Sequence, residues 1–350
     1  GGPLSGAGSS RANCGAPYDD RGLQRAPGPM TAAGVRVGPD TAEKLSAYFR
    51  CRQLVAGTVA MLPLEMYSRR GDGGKDVAGN HPLRDLLRMR SNPHQVAMEW
   101  RQLMTEHALD RGNGYSLIAS GARGYVDQLI PLNPDRVTPE LQTDHTVKYR
   151  WQPDQGPQQT LFQDEVFHLP GMAYDGVKGK AILDVARESI GEGLAQGQYA
   201  SRLYAQSEVP PIVLTAPGAV NDQTRKANKQ AWTEATATWN NRFRAALLEG
   251  GWDVKTLNVG LTAEQAQLIE SREFSVTDIA RWFGVPPHMV GETTKETSWG
   301  SGIEQMSIGF VVYTLLWWLR RWEQRIAFSL LLAPNLFFAE HNVDGLLRGD

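Results

Sequence analysis

The sequence contains only two cysteines, Cys14 and Cys51, in 350 residues. Two thiols cannot build a disulfide framework, so a reducing compartment fits better than a disulfide-stapled secreted scaffold. Net charge is also scarce: 36 Lys and Arg stand against 38 Asp and Glu, a formal −2 with a pI near 6.4. That balance argues against a protein that grips nucleic acid by neutralising phosphates. It is compatible with one past which DNA slides, where tight phosphate contacts would act as a brake. No apolar run reaches membrane-spanning length. The most apolar stretch, Ile308 to Leu319, has twelve residues against the ~17–25 of a span, and Arg320, Arg321 and Arg325 follow it. Residues 1–39 hold no apolar segment of the signal-peptide kind.

Catalytic signatures are missing as well. There is no GxxxxGK[ST], so the chain does not read as an ATP-burning motor, and no GxSxG, HExxH, CxxC or GxGxxG. The seven histidines (His81, His94, His107, His145, His168, His288 and His341) are scattered without metal-ligand spacing. Carboxylates are many, yet no pair stands out as an acid–base couple. The expectation is therefore no catalytic residues, no metal site and no cofactor.

What is present is a folded composition, 41% hydrophobic and 21% charged, in a chain long enough for two or more domains or subdomains. Residues 1–39, rich in Gly, Pro, Ala and Arg, read as a flexible arm. Asp40 or Thr41 then caps a helix through about Ala60, with Leu45, Tyr48, Phe49, Leu54 and Val55 as its core face. Leu64–Arg69 alternates as a strand into the Gly71–Gly74 turn. Helices are expected at Leu83–Arg90 and Ala97–Arg111, the second closed by Gly112. Strands follow at YSLIAS, VDQLIPL, VKYRW and VFHLP. Helices followed by strands, without βαβ alternation, give an α+β class.

Residues 181–207 form a helical candidate holding Gly191, Gly193 and Gly197, each costing up to ~1 kcal/mol in a helix interior. Such a helix is either closely approached, bent or broken. After Pro210–Pro211, IVLT reads as a strand, 221–240 as a polar helix and AALLEGGWDVKTLNV as a hairpin turning at Gly250–Gly251. Isolated hairpins are marginal, so strands of an adjacent subunit would supply missing partners. Thr262 and Gln265 have capping-box spacing and open a helix leading back to Phe274.

The stretch from Phe274 to Leu332 organises the rest. A helix with a cap at Ser275 and Asp278 stops at Gly284 before Pro286–Pro287. A polar segment, Glu292–Gly302, free of Leu, Ile and Val, leads to a last helix from about Ile303 to Leu332, about 45 Å long at ~1.5 Å per residue. Ile308, Val312, Leu315, Leu319, Trp322, Ile326 and Leu330 make one apolar stripe along it. Its first half is apolar nearly all round and should be enclosed on every side; its second half carries Arg320, Arg321, Glu323, Gln324 and Arg325 and must reach a polar surface.

The segments FSVTDIARWFGVPPHMVG and IEQMSIGFVVYTLLWWLRRWEQRI, in this order, resemble the portal proteins of long-tailed bacteriophages and their prophages. LSAYFRCRQLVAGTVAMLPLEMYSR, HPLRDLLRMRSNP, LIPLNPDRVTPE, DEVFHLPG and LEGGWDVKTLNVG agree with it, from about Asp40 to the end. The resemblance implies an arm at 1–39, a wing at 40–180, stem helices at 181–207 and 262–286, and a small α/β clip at 208–261. It further implies a tunnel loop at 287–302, a long wing helix at 303–333, and at 334–350 a return to the wing and the start of a crown that is truncated or absent. Glu292, Thr293, Thr294, Lys295, Glu296, Thr297, Ser298 and Trp299 would line the DNA channel. Ile212, Val213, Leu214, Ala246, Leu247, Leu248, Trp252 and Val254 would make clip contacts to subunits and motor.

The implied partners are further copies of the chain in a ring of about twelve, and double-stranded DNA passing without sequence specificity. To these the resemblance adds the terminase large subunit, a head–tail adaptor and the major capsid protein or scaffold, with no membrane. The implied place is the capsid portal vertex of a virion, assembled in the host bacterial cytoplasm. Two other readings stand beside this one. Trp317, Trp318 and Trp322 would suit a lipid interface, and an α+β enzyme would assemble a site from dispersed residues. On residues alone, Glu292–Gly302 is equally an ordinary exposed connector.

Overall fold

The computed structural model describes residues 28–121, 124–173, 175–206, 212–215, 221–236, 253–256, 263–291 and 300–343. They fall into two units, Gly1–Leu194 with Glu273–Asp350, and Ala195–Arg272.

The first unit begins where Thr41 closes a turn on Gly38: its hydroxyl accepts from the Gly38 N–H at 2.7 Å and donates to the Gly38 carbonyl at 2.9 Å. Helix α1 (Pro39–Ala42) is separated from α2 (Ser46–Met61) by an extended Leu45, where the sequence predicts one helix. The break lets Leu45 pack against the core and lie beside Gly193. Tyr48 and Val55 are buried as expected, whereas Phe49 is exposed, with the Arg52 guanidinium 5.6 Å from its ring centre.

Strand β1 (Leu64–Arg69) turns into β2 (Lys75–Val77), and helix α3 covers Pro82–Arg88. The short pair β3 (Arg90–Asn92) and β4 (Gln95–Val96) leads into α4 (Ala97–Arg111), which Gly112 ends in the left-handed region. β5 (Asn113–Ser120) and β6 (Val126–Leu132) are followed by the antiparallel meander β7 (Val137–Leu141), β8 (Val147–Trp151) and β9 (Gln159–Leu161). β10 (Val166–Pro170) pairs antiparallel with β5 on the side opposite β6. The pair β11 (Met172–Ala173) and β12 (Gly179–Lys180) encloses a turn, and α5 (Ile182–Val185) precedes α6 (Arg187–Gln206).

In the second unit, β13 (Ile212–Thr215) comes before the polar helix α7 (Asp222–Thr236) and pairs with β14 (Asp253–Thr256). Helix α8 (Ala263–Phe283) begins there and ends in the first unit. Because α8 is continuous, Ser275 sits inside it and caps nothing, contrary to the sequence expectation. Its hydroxyl instead lies against Gly193, where a Cβ would come within 2.7 Å of it. A Cβ on Gly191 would meet Thr31 at 2.6 Å. Two of the three α6 glycines thus mark close approaches in an unbroken helix. The Trp282 indole donates to Ser189 Oγ at 3.2 Å while Ser275 lies against Gly193, so the contacts advance along α6 as they go back along α8 and the two helices run antiparallel.

The chain closes the first unit with α9 (Gly300–Phe310), a π-helical segment (Val311–Leu315), α10 (Leu316–Ser329) and β15 (Phe337–His341), which pairs with β1. Trp100 of α4, Phe167 of β10 and Trp322 of α10 form one buried aromatic cluster with ring centres 5.2–5.5 Å apart. The Trp322 indole donates to Thr105 Oγ1 at 3.1 Å and that of Trp100 to Ser116 Oγ at 3.2 Å, so neither polar edge is left unpaired. Burying ~150–250 Å² per ring contributes on the order of 4–6 kcal/mol each before entropy is counted. Around it, Arg101 donates to the Leu62 carbonyl at 2.9 Å, at the C-terminal end of α2.

Candidate functional site

The sequence places its functional residues in three segments: the polar stretch between α8 and α9, the strands of the second unit, and the stripe of the last helix. Glu292, Thr293, Thr294, Lys295, Glu296, Thr297, Ser298 and Trp299 lie outside the described residues, but the frame that carries them is described. Gly284 ends α8 at φ +66°, with Val285 N–H donating to Ala280 O at 2.9 Å and Gly284 N–H to Arg281 O at 3.1 Å. This double bond pattern is the Schellman stop that glycine permits. A short 3-10 turn, Pro287–Val290, then ends at Gly291, φ +89°. The Thr314 hydroxyl donates to the Gly284 carbonyl at 2.6 Å and ties this turn to the last helix. Both flanks of Glu292–Trp299 are therefore anchored to one core.

In the second unit, Ile212, Val213 and Leu214 pair with Thr256, Lys255 and Val254 in an antiparallel register. Ala246, Leu247, Leu248, Trp252 and the turn at Gly250–Gly251 lie outside the described residues. The described partner of β14 is thus β13, and the two make a two-stranded sheet among the described residues.

The stripe of the last helix needs a correction. Leu315, Leu319, Trp322 and Ile326 are buried, but Ile308 is 39% and Val312 42% exposed. The 3.6-residue period expected along the helix does not carry across Val311–Leu315, where the helix makes π-type bonds, the Leu316 N–H reaching Val311 O. A π turn holds one extra residue, equivalent to ~100° of α-helical rotation. Phe310 and Val311 consequently turn inward in place of Val312 and Ile308. The first half of the helix is also not enclosed within the single chain: Tyr313 is 84% exposed and Trp317 45%. The second half has the predicted polar side, bearing Arg320, Arg321 and Arg325.

Buried titratable groups, Asp110 and His168 among them, lie in the core of the first unit. Asp110 accepts from Tyr48 Oη at 2.6 Å and pairs with Arg52 at 2.7 Å; burial pushes its carboxyl up and Arg52 opposes that. His168 is neutral by geometry: Nε2 donates to Asn113 Oδ1 at 2.9 Å, and Nδ1 accepts from Tyr149 Oη at 3.2 Å. Burial, reinforced by the Arg325 charge, holds its imidazole down at about 3. Asn113 Oδ1 also accepts from the Gly179 N–H at 2.8 Å. These groups fasten sheet to turn and show no arrangement for proton transfer to a ligand. Among the described residues no three His, Cys, Asp or Glu side chains are grouped to hold a metal, and no helix is long and apolar enough to cross a membrane.

Comparison with known proteins decides the family. A family model described as phage portal protein matches residues 46–350. The portal protein of Enterobacteria phage HK97 is 34% identical over 331 residues, covering 92% of this chain and 77% of the relative. The chain belongs to the phage portal protein family. The probable portal protein of Streptomyces phage phiC31 is 30% identical over 338 residues, covering 92% and 72%. Among solved structures, a chain from the neck of a native gene transfer agent particle, computed with C12 symmetry, superposes with a TM-score of 0.66. The superposition spans 88% of this portal chain and 85% of the other at 20% identity, a likeness of fold.

Proposed function

We propose that copies of this chain close into a ring at one capsid vertex and that double-stranded DNA passes through the ring during packaging and ejection. The observation that carries this reading is the family match over residues 46–350. The C12 symmetry of the neck to which the fold is similar supports a ring of about twelve copies. In this reading α6 and α8 are the stem, and Ala195–Arg272 holds the clip, where the terminase large subunit and a head–tail adaptor dock. The wing, 40–180 with the long helix 303–333 and the return at 334–350, faces the major capsid protein. The ring belongs to the virion, is assembled in the bacterial cytoplasm without a membrane, and performs no catalysis of its own.

Glu292–Trp299 lines the narrowest part of the channel in this proposal. Lys295, repeated around the ring, makes a belt of ammonium groups that touch phosphates without reading bases, and Glu292 and Glu296 moderate the attraction. The test is deletion of Thr293–Thr297. Loop length alters closure entropy by only ~0.6 kcal/mol per twofold change, and both anchors at Gly284 and Thr314 stay in place. Light scattering should therefore still give a ring of several hundred kilodaltons, while packaged DNA length or retention falls. Lys295→Ala should show a milder loss, and neither change should alter which sequence is packaged. A loop-deleted ring that packages and retains full-length DNA at the wild-type level refutes the channel role.

A further inference from the structure

A groove of about 510 Å³ lies between the turn carrying Gly176, Val177 and Lys178 and the polar side of α10, where Trp317, Arg321 and Arg325 line it. We propose that this groove is a binding site for a phosphate-bearing anion with at least two negative charges, held by Lys178, Arg321 and Arg325.

Charge is the first argument. No acidic residue lines the groove, while Lys178, Arg320, Arg321 and Arg325 all do. Arg320 is compensated by Glu323, 2.8 Å away on its own helix. Lys178, Arg321 and Arg325 make no salt bridge among the described residues. Asp175, the acid nearest to Lys178 in the sequence, feels the Lys178 charge but turns its carboxylate into its own loop, where Oδ1 accepts the Val177 N–H at 2.9 Å and the Lys178 N–H at 2.6 Å. Three cations of like sign thus face one concavity in a chain whose net charge is −2.

Placement is the second. Arg321 is fixed: Nη1 donates to the Pro170 carbonyl at 2.6 Å, and the guanidinium carbon lies 3.8 Å from the Trp317 ring centre. Burial lowers Arg321 to about 10, and the neighbouring Arg325 charge adds to the shift; burial lowers Arg325 too. Half-buried charge without a counter-charge is unfavourable, and like charges four residues apart on a helix repel. An anion relieves both.

The ligand chemistry follows from the count and shape. One carboxylate leaves two of the three cations uncompensated, a phosphate dianion leaves one and a diphosphate comes closest to matching all three, and phosphate oxygens suit the planar guanidinium fork. The volume lies within the ~300–1,000 Å³ of small-ligand sites and is too small to admit a duplex. The phosphate source is either a free anion or nucleotide, or the terminal phosphate of a strand.

The test is isothermal titration of the purified full chain, at low salt, with pyrophosphate and with a hexanucleotide carrying or lacking a 5′-phosphate. One saturable site per subunit is expected. Lys178→Gln, at an exposed position, and Arg325→Gln should each weaken it roughly tenfold, with melting temperature as the folding control. Arg150→Gln, on β8 and paired with Glu140, should leave binding unchanged. Tighter binding of the 5′-phosphorylated strand identifies a strand end as the source, and binding of pyrophosphate alone identifies a free anion. The proposal is overturned by no saturable binding at millimolar pyrophosphate or by equal affinity in the Lys178→Gln and Arg325→Gln proteins. It is likewise overturned by a tetra-aspartate peptide that binds this site as tightly as pyrophosphate.

Discussion

Removing one residue from a helix is ordinarily ruinous, but this protein should tolerate it at one place. Deleting Tyr313 takes a single residue out of the π segment Val311–Leu315. The shortened helix can then make ordinary i→i−4 bonds throughout, while Phe310 and Val311 before it and Leu315 and Trp318 after it keep their inward facing. The losses are small: Tyr313 is 84% exposed, and displacement of Thr314 from the Gly284 carbonyl costs about 1 kcal/mol. Deleting Arg320, an exposed residue in regular α-helix two positions before the buried Trp322, is the contrast. It moves Glu323 into the fully buried place of Trp322 and Ala327 into that of Ile326. Losing a buried Trp costs ~3–5 kcal/mol and Ile to Ala ~2–5, together comparable with the ~5–15 kcal/mol that holds a domain. Thermal and urea unfolding of both proteins decides the matter. The Tyr313 deletion should melt cooperatively within a few degrees of the parent, and the Arg320 deletion should give no folded protein. If the two are equally destructive, the π segment is not an inserted residue in an otherwise continuous stripe. If both are tolerated, the stripe is not what binds this helix.

Leu319→Asp should abolish soluble folded protein, because an unpaired carboxylate at a position 1% exposed costs several kcal/mol; a parent-like melting temperature would show that the side chain is not enclosed. Stability should also fall as pH drops from 6.5 to 5. His107 and His168 are held neutral at about 3 in the folded chain, chiefly by burial, against ~6.5 unfolded. The unfolded chain therefore takes up the protons first, and each histidine removes about 1.6 kcal/mol of stability over that window. Urea midpoints across pH 5–7 should show the slope, and His168→Gln should flatten it by about one proton; an unchanged slope refutes the assignment.

Local pattern was a sound guide wherever the deciding contacts are local. β1, β6, β8, β10 and α4 begin and end where alternation, helical period and the flanking Gly and Pro residues place them. The stop at Gly284 was equally legible, since only glycine takes φ +66° without strain. The failures share a cause in tertiary contact. Leu45 looks helical, yet it is extended and packs beside Gly193 of α6, which breaks the helix; Ser275 looks like a cap, yet it lies inside α8 against Gly193. β15 is a short strand whose existence depends on β1, more than 250 residues away in the chain, while β7 and β9 are short strands held by pairing with β8 between them.

The last helix shows the limit most clearly. Its period is readable on either side of Val311–Leu315 but not across it, because the phase there is set by where α9 and α10 meet the core. The extra residue also frees Thr314 to hold the Gly284 carbonyl, so the irregularity in the helix fixes the turn that leads into Glu292–Trp299. The arginines of α10 were visible as a polar side, but their convergence with Lys178 depends on the β11–β12 turn. No spacing in the sequence joins residues more than 140 positions apart, so this candidate site emerged only from the fold.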